Sequence, residues 1–257
     1  MDNTVKEPLI HLSKREDMSF GKKWMVRIIA ILLSLIVCAG FIFIIIKMNP
    51  VEVYEGIVEG AVGTGRRFWV TARDALTLLC VAVAVTPAFK MKFWNIGAEG
   101  QILMGCVASA AMMIYAGNAL PTGLLLVLMF VCSFIAGGIW GIIPAFFKAR
   151  WNTNETLFTL MLNYVAMQVV TFCIVYWENP AGSNSVGIIN APTRAGWLPQ
   201  LFGLDYGWNL AIVLLLTVLM FIYMKRTKHG YEIAVVGESE NTARYAGINV
   251  GKVIVRT

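Results

Sequence analysis

Residues 28–46 read IIAILLSLIVCAGFIFIII, and this stretch decides the fold class of the chain. Apart from Ser34, Cys38 and Gly40, its side chains are aliphatic or aromatic, and none is charged. A helix needs about 20 apolar residues to cross the hydrocarbon core of a bilayer. Because lipid cannot hydrogen-bond a bare backbone, a continuous run of this length must be helical there. The stretch therefore predicts a transmembrane helix.

Two more uncharged runs, at residues 124–147 and 210–224, extend this conclusion to the whole chain. The chain is 58% hydrophobic and 14% charged, with a mean hydropathy of +0.70, whereas soluble domains carry about 25% charged residues. Long runs without period-two alternation favour helices over the strands of a barrel. The fold class predicted is an all-α integral membrane protein of about six transmembrane helices.

The polar residues 1–27 and the first apolar run could together form a cleaved signal peptide. That polar stretch is long for one, and no small-x-small cleavage site follows the run at residues 47–50. We therefore expect the first helix to be retained.

The net charge of +6 could indicate a nucleic-acid partner, but the distribution of the charges indicates a membrane topology instead. Most Lys and Arg residues precede the first run or lie at residues 90–92, 148–150 and 225–256. Positive residues concentrate on the cytoplasmic side of a membrane. We therefore expect these segments and the N-terminus to be cytoplasmic in a bacterial cell membrane, the lipid bilayer to surround the chain, and no nucleic acid to bind.

The expected organisation has three parts. Residues 1–23 form a cytoplasmic tail, residues 24–224 a transmembrane domain, and residues 225–257 a cytoplasmic segment. The polar residues 49–73 and the loop 177–207 are placed outside. The expected spans cover residues 24–46, 74–89, 93–115, 123–147, 157–176 and 208–224.

The second and third spans are interrupted, which predicts a broken or re-entrant element near residues 86–101, with a simple hairpin between the two spans as the alternative. Asn95, Gly97, Glu99, Gly100 and Gln101 lie close together there. A carboxylate at the depth of the bilayer is costly and indicates function, and transporters often bind substrates at broken helices. If this stretch were helical, Asn95 and Glu99 would share one face. The alternative is an interfacial glutamate that stabilises helix ends.

A polar face opens the fifth span, because Thr156, Thr159 and Asn163 follow at i, i+3 and i+7. The preceding residues 152–155 are typical of a helix start. Polar residues on an apolar helix need a protein partner or a wet cavity. Both alternatives place this face toward the interior of the helix bundle. If it faces a wet cavity, it lines a transport pathway.

Residues 230–249, after the sixth span, predict a short capped helix. Ser239 is a good N-cap, Glu240 and Arg244 form an i,i+4 pair, and Gly247 follows the end. A helix this short is marginal alone, so it needs a contact, for which Ala243, Tyr245 and Ala246 offer a face. The candidates are docking onto a partner protein and lying on lipid headgroups.

The patterns of nucleotide hydrolysis and metal binding are missing from the sequence. Residues 247–252 lack one spacer residue and the Ser/Thr of a phosphate-binding loop. The five cysteines lie in apolar segments without metal-ligand spacing. We expect no catalytic residue, no metal and no cofactor bound by this chain.

Three motifs resemble the inner-membrane permeases of ABC importers for simple sugars and nucleosides (the branched-chain amino acid/ribose-type family), most closely the nucleoside branch. The first is Asn95-Ile-Gly-Ala-Glu-Gly-Gln101. The second combines Lys148-Ala-Arg150, Asn154-Glu-Thr156 and Thr159-Leu-Met-Leu-Asn-Tyr164. The third combines Ala234-Val-Val-Gly-Glu238 with Ala243-Arg-Tyr-Ala-Gly-Ile-Asn249.

The resemblance implies a permease that moves a nucleoside or simple sugar. Its partners would be ABC ATPase subunits carrying ATP and Mg²⁺, a second permease subunit, and an extracellular substrate-binding lipoprotein. The resemblance places Asn95, Glu99 and Gln101 by the substrate path, with Thr156 and Asn163 added from the polar face. It places ATPase coupling at Gly237, Glu238, Ala243, Arg244 and Gly247.

The chain departs from the family in one respect, and two alternative functions stay open. Relatives of this type continue with further transmembrane helices after the third motif, so we expect a chain truncated at its C-terminus. An ion-coupled secondary transporter with Glu99 as proton carrier is the first alternative. A non-transporting membrane scaffold or fragment is the second.

Overall fold

The computed structural model describes residues 19–201, 203 and 206–257. Most of the described chain is helical. The helices are α1 (Phe20–Phe41), α2 (Pro50–Val62), α3 (Gly65–Lys90), α4 (Ala98–Ala116), α5 (Thr122–Trp151), α6 (Glu155–Tyr176), α7 (Gly207–Arg226), α8 (Lys228–Glu238), α9 (Glu240–Tyr245) and α10 (Val250–Arg256). A π-helical turn, Ile42–Ile46, continues α1. The predicted tail at residues 1–23 lies mostly outside the described residues.

Within the described residues, six helical segments are long and apolar enough to cross a membrane: α1 with its π-helical turn, α3, α4, α5, α6 and α7. The all-α fold class and the six spans predicted from the sequence are confirmed. The long apolar runs form helices because a helix satisfies its backbone hydrogen bonds internally, as a segment in lipid must.

The second span differs from its prediction, because α3 begins at Gly65 rather than at Asp74 and has 26 residues. The preceding polar segment also contains α2. Asn49 caps α2 by accepting a hydrogen bond from the Val51 N–H, and Pro50 occupies the first helical position. These are standard start signals of a helix, which the acidic composition of the segment obscured.

The described residues divide into two compact units between Thr71 and Ala72. In the first unit, the Tyr54 hydroxyl donates to the Leu35 carbonyl oxygen at 2.6 Å, which fastens α2 to α1. Arg67 donates to the Glu59 carboxylate at 3.2 Å, across the turn between α2 and α3.

The second unit has a bundle in which α4 packs against α5 and α6. Small residues permit close approach: the Ser133 hydroxyl donates to the Gly105 carbonyl oxygen at 2.9 Å, and a Cβ at Gly137 would lie 3.2 Å from the Gln101 carbonyl oxygen. Lipid tails are as apolar as leucine, so transmembrane helices associate through such packing and through hydrogen bonds. The sequence 137–141 is thus a packing surface for α4.

A separate apolar core lies where α8, α9 and α10 meet the end of α5 and the chain between α3 and α4. Ile233 and Ala243 are completely buried at its centre. Its other buried members are Met91, Phe93, Ala145, Val236, Val250, Val253 and Ile254. We call this group the terminal core. It explains why helices as short as α9 and α10 are stable, since short helices depend on tertiary packing.

Candidate functional site

The break between α3 and α4 spans residues 91–97, inside the range predicted for a broken element. Lys92 adopts a left-handed conformation with φ of 61°. The Phe93 N–H donates to the Ala88 carbonyl oxygen at 2.9 Å, and the Lys92 N–H donates to the Phe89 carbonyl oxygen at 3.0 Å. This pair of bonds is the Schellman arrangement that ends helices. The break is therefore hydrogen-bonded and defined rather than an unravelled helix.

Asn95 stabilises the turn into α4. Its side-chain oxygen accepts a hydrogen bond from the Gly97 N–H at 2.9 Å. Because α4 begins only at Ala98, Asn95 lies before the helix, so the condition under which it would share a helical face with Glu99 is not met. Asparagine competes with helical hydrogen bonding through such local turns.

The polar face of α6 holds the break. The Thr159 hydroxyl accepts from the Ile96 N–H at 3.3 Å. The Asn163 amide accepts from the Gly100 N–H at 2.9 Å and donates to the Ile96 carbonyl oxygen at 3.0 Å. Both side chains are buried, at 1% and 4% exposure. The polar face of α6 therefore points inward, as predicted. Its partners are the backbone groups of Ile96 in the break and of Gly100 in the first turn of α4.

Two glycines allow α6 and α5 to come this close. A Cβ at Gly97 would lie 2.9 Å from the Thr159 Cβ, and one at Gly100 would lie 2.9 Å from the Asn163 side-chain oxygen. The same atom at Gly100 would also lie 3.0 Å from the indole nitrogen of Trp140. Real side chains rarely tolerate such distances, so packing requires glycine at both positions. Sequence reasoning did not identify Trp140 as a neighbour of the break.

The remaining predicted pathway residues occupy different environments. Glu99 is exposed in the first turn of α4. Gln101 is half-buried, and its amide nitrogen would lie 2.8 Å from a Cβ at Gly141 of α5. Thr156 is half-buried, and its carbonyl oxygen accepts from the Thr159 hydroxyl at 3.2 Å. The structure thus brings the first two predicted motifs into one cluster.

An ion pair closes the start of α6 onto the end of α5. Lys148 Nζ lies 2.9 Å from Glu155 Oε2, and both side chains are mostly buried. Asn154 caps α6 by accepting from the Leu157 N–H at 3.2 Å, as its sequence context predicts. A cavity of about 260 Å³ adjoins this pair; its polar lining comes from Lys92, Lys148, Glu155, Glu238, Ser239 and Glu240.

The predicted short helix is present as α9. The Ser239 hydroxyl accepts from the Thr242 N–H at 3.3 Å, Arg244 lies 3.6 Å from Glu240, and Gly247 has φ of 77°. Ala243 is completely buried in the terminal core, so the contact face expected from Ala243, Tyr245 and Ala246 does not exist as one surface. Tyr245 points the other way and is 94% exposed.

The residues predicted to couple to the ATPase also divide into buried and exposed ones. Gly237 and Ala243 are buried, whereas Glu238, Arg244 and Gly247 are exposed. In the part of the chain that the structure describes, no group of three or more His, Cys, Asp or Glu residues is arranged to hold a metal ion.

Within the described part of the chain, six membrane-capable helices and a polar, hydrogen-bonded break define a multi-pass helical membrane protein. Residues 69–257 match the family model described as "Branched-chain amino acid transport system / permease component", and the chain belongs to this family. No solved structure matches the chain.

Named relatives are similar along most of the chain. It is 29% identical over 238 residues to the guanosine ABC transporter permease protein NupP of Bacillus subtilis, and 28% identical over 244 residues to the nucleoside ABC transporter permease protein NupB of Lactococcus lactis. It is 28% identical over 233 residues to the glucose ABC transporter permease protein TsgB13 of Haloferax volcanii. These alignments cover 90%, 91% and 84% of this chain, but 66%, 66% and 59% of the relatives.

Proposed function

We propose that this chain is a permease subunit of an ATP-binding-cassette importer, and that it moves a nucleoside or a simple sugar across the bacterial cell membrane. The observation that carries the proposal is the helix break at residues 91–97, a polar element beside membrane-capable helices in a chain of the permease family. The names of the relatives support the substrate class, since two are nucleoside permeases and one is a glucose permease.

The polar residues of the break have two separate roles in this proposal. Thr159 and Asn163 hold the backbone, because they are buried and hydrogen-bonded to it. Glu99 is exposed at the start of α4 and is free to meet a solute. A carboxylate that faced hydrocarbon would be costly, so its surroundings in the assembled transporter are a wet path or a partner subunit. A carboxylate accepts hydrogen bonds from sugar or ribose hydroxyl groups.

The orientation and the partners are part of the same proposal. The basic segments at residues 90–92, 148–150 and 225–228 are cytoplasmic, in agreement with the positive-inside rule. ABC ATPase subunits that hold ATP and Mg²⁺ dock on the exposed side of α9, which presents Glu240, Arg244 and Tyr245. A second permease subunit covers the exposed apolar helix faces, and an extracellular binding lipoprotein delivers the substrate.

The test is uptake by cells that express this protein from its native gene together with any ATPase, second permease and lipoprotein that are encoded beside that gene. Labelled guanosine and glucose are supplied separately, and ATP depletion is compared with a protonophore. Uptake that needs ATP and survives the protonophore supports the importer. Uptake that survives ATP depletion and stops with the protonophore indicates ion-coupled transport, and no uptake with no ATPase recovered on purification indicates a scaffold.

Glu99→Gln tests the pathway assignment within that assay. The change keeps the size of the side chain and removes its charge, so uptake falls while membrane insertion is unchanged. Glu178→Gln is the matched control, because this half-buried carboxylate lies in the loop after α6, where it accepts from the Gly182 and Asn184 N–H groups. Unchanged uptake in Glu99→Gln removes this residue from the mechanism.

A further inference from the structure

We propose that Gly237 is a positioning residue that fastens the α8–α9 segment directly to the helix break, so that a displacement of α9 moves the backbone carrying Asn95 and Glu99. The inference rests on the proposed function for its use in transport. The contact itself is independent of that function. It assigns a mechanical role to a residue that is buried within the chain.

The first observation is the closeness of the two backbones. A Cβ at Gly237 would overlap the Lys90 carbonyl oxygen, and it would lie 3.1 Å from the Lys90 carbonyl carbon and 3.3 Å from the Met91 Cα. The obstructing atoms belong to backbone rather than to a flexible side chain, so they cannot rotate away. The last turn of α8 is therefore seated on the point where α3 ends.

The second observation is that the terminal core joins the same two segments. Met91 and Phe93 of the break are 5% and 8% exposed, and they cluster with Ile233 and Val236 of α8 and Ala243 of α9. Close-packed interiors are poorly compressible and transmit displacement. The α8–α9 segment and the start of the break therefore move as one body.

The third observation concerns the other end of the break. Ile96 is bonded to Thr159 through its N–H and to Asn163 through its carbonyl oxygen. Residues 91–97 are thus held at one end by α8 and at the other by α6. A displacement of α8 relative to α6 must be absorbed within this short segment, which includes Asn95 and directly precedes Glu99.

The geometry also leaves room for such a displacement. The cavity of about 260 Å³ borders the contact, and its lining includes Met91, Phe93, Gly237 and Glu238. Lys148 and Glu155, which form the ion pair, belong to the same lining. The α8–α9 junction therefore borders unfilled space into which it can move.

The experiment combines a reporter in the break with a substitution at the contact. The reporter is Ile96→Cys, because this side chain is 46% exposed, in a chain whose five native cysteines are replaced by alanine. Gly237→Ala introduces the overlap. Gly251→Ala is the matched control, because its Cβ would meet no atom closer than 3.6 Å. Ile188→Cys, 74% exposed in the loop between α6 and α7, reports any global change.

In membranes containing the full chain, the rate at which maleimide labels Ile96→Cys is measured in the parent and in proteins that also carry one of the glycine substitutions. We expect Gly237→Ala to raise it by about fivefold or more, the low end of typical coupling between sites. We expect Gly251→Ala to leave the labelling rate of Ile96→Cys at the parental value. We expect Gly237→Ala to leave the labelling rate of Ile188→Cys at the parental value. Equal rates in Gly237→Ala and in its parent overturn the proposal, as does an equal increase at Ile188→Cys.

Val236→Ala is the second variant, used if Gly237→Ala does not accumulate in the membrane. It shortens a buried side chain of the same contact without an overlap. We expect it to raise labelling of Ile96→Cys in the same direction, and no increase overturns the proposal.

The assembled transporter provides the functional arm. Gly237→Ala lowers substrate uptake per ATP hydrolysed by about fivefold or more. Parental uptake per ATP in this variant overturns the proposal. A parent that shows no ATP-dependent uptake contradicts the importer assignment instead, and the labelling rates then decide whether the contact positions the break.

Discussion

Two buried regions of this chain are stabilised in different ways. Between α4, α5 and α6, most buried groups are small or polar, among them Gly100, Gly105, Thr159 and Asn163, and Leu125 of α5 is a large apolar side chain buried with them. The terminal core consists almost entirely of apolar side chains around Ile233. The difference follows from the solvent. Water drives apolar burial beside the membrane, whereas lipid gives no such drive and leaves close packing and hydrogen bonds to associate helices.

The largest expected effect is therefore in the terminal core. Ile233→Ala removes a completely buried side chain, and such substitutions typically cost about 2–5 kcal/mol. We expect α8–α10 to become sensitive to protease while the transmembrane helices stay inserted, which limited proteolysis of membrane vesicles measures. Tyr231→Ala, on an exposed position of the same helix, is the control. Equal protease resistance in both variants would contradict the view that apolar burial holds this segment.

The second prediction concerns the polar region. Asn163→Leu keeps the size of the side chain and leaves the Gly100 N–H and the Ile96 carbonyl oxygen without their partners. An unsatisfied buried group typically costs about 1–3 kcal/mol. We expect a lower melting temperature of the detergent-solubilised protein and faster labelling of Ile96→Cys. Gln168→Leu is the control, because this glutamine is exposed on α6.

A stabilising effect of Asn163→Leu would show that apolar burial also governs the bundle. The two regions would then not differ in the way proposed here. The comparison therefore depends on the sign of this change more than on its size.

Sequence reasoning succeeded where a single local signal determines the structure. The long apolar runs predicted the six membrane-capable helices, and Ser239 with Glu240 and Gly247 predicted α9. The clustering of Asn95, Gly97 and Gly100 predicted a break, because these residues disfavour helix continuation.

The rest depends on tertiary contacts that one sequence does not reveal. The polar face of α6 indicated a partner or a cavity, but only the fold identifies the backbone at Ile96 and Gly100 as that partner. Ala243 was expected at a docking surface because small residues suit contacts, and the same property places it in the terminal core. The α8 and α10 helices are too short for a clear period, so packing rather than pattern defines them.

A third prediction uses pH to distinguish the regions. His229 of α8 is 6% exposed, and Tyr223 of α7 hydrogen-bonds its Nδ1. Burial first, and then nearby Arg256 of α10, lower the pKa of His229, whereas Glu232 opposes the shift. The unfolded chain therefore binds a proton more readily. Stability conferred by neutral His229 is present above pH of about 6.5 and is lost as the pH falls toward its lowered pKa.

Protease sensitivity of α8–α10, measured from pH 7.5 downward, checks this effect. We expect it to increase in the parent and to increase less in His229→Gln, whose side chain does not titrate. A pH profile that is identical in the two proteins would remove His229 as the cause. The Asn163 region contains no histidine among its described contacts and should not respond.

The smallest expected effect on stability is at the exposed side of α9. Arg244 and Glu240 are 66% and 52% exposed, and exposed i,i+4 pairs contribute about 0.3–0.5 kcal/mol. Arg244→Glu should leave the protease resistance of α8–α10 nearly unchanged, yet uncouple ATP hydrolysis from uptake if an ATPase docks there. Lys252→Glu, an exposed charge reversal on α10, is the control. Normal coupling in Arg244→Glu would rule out docking at this side of α9. Loss of coupling at unchanged stability would mean that the two sides of α9 have different roles. The side with Ala243 packs in the terminal core, and the side with Arg244 contacts the partner.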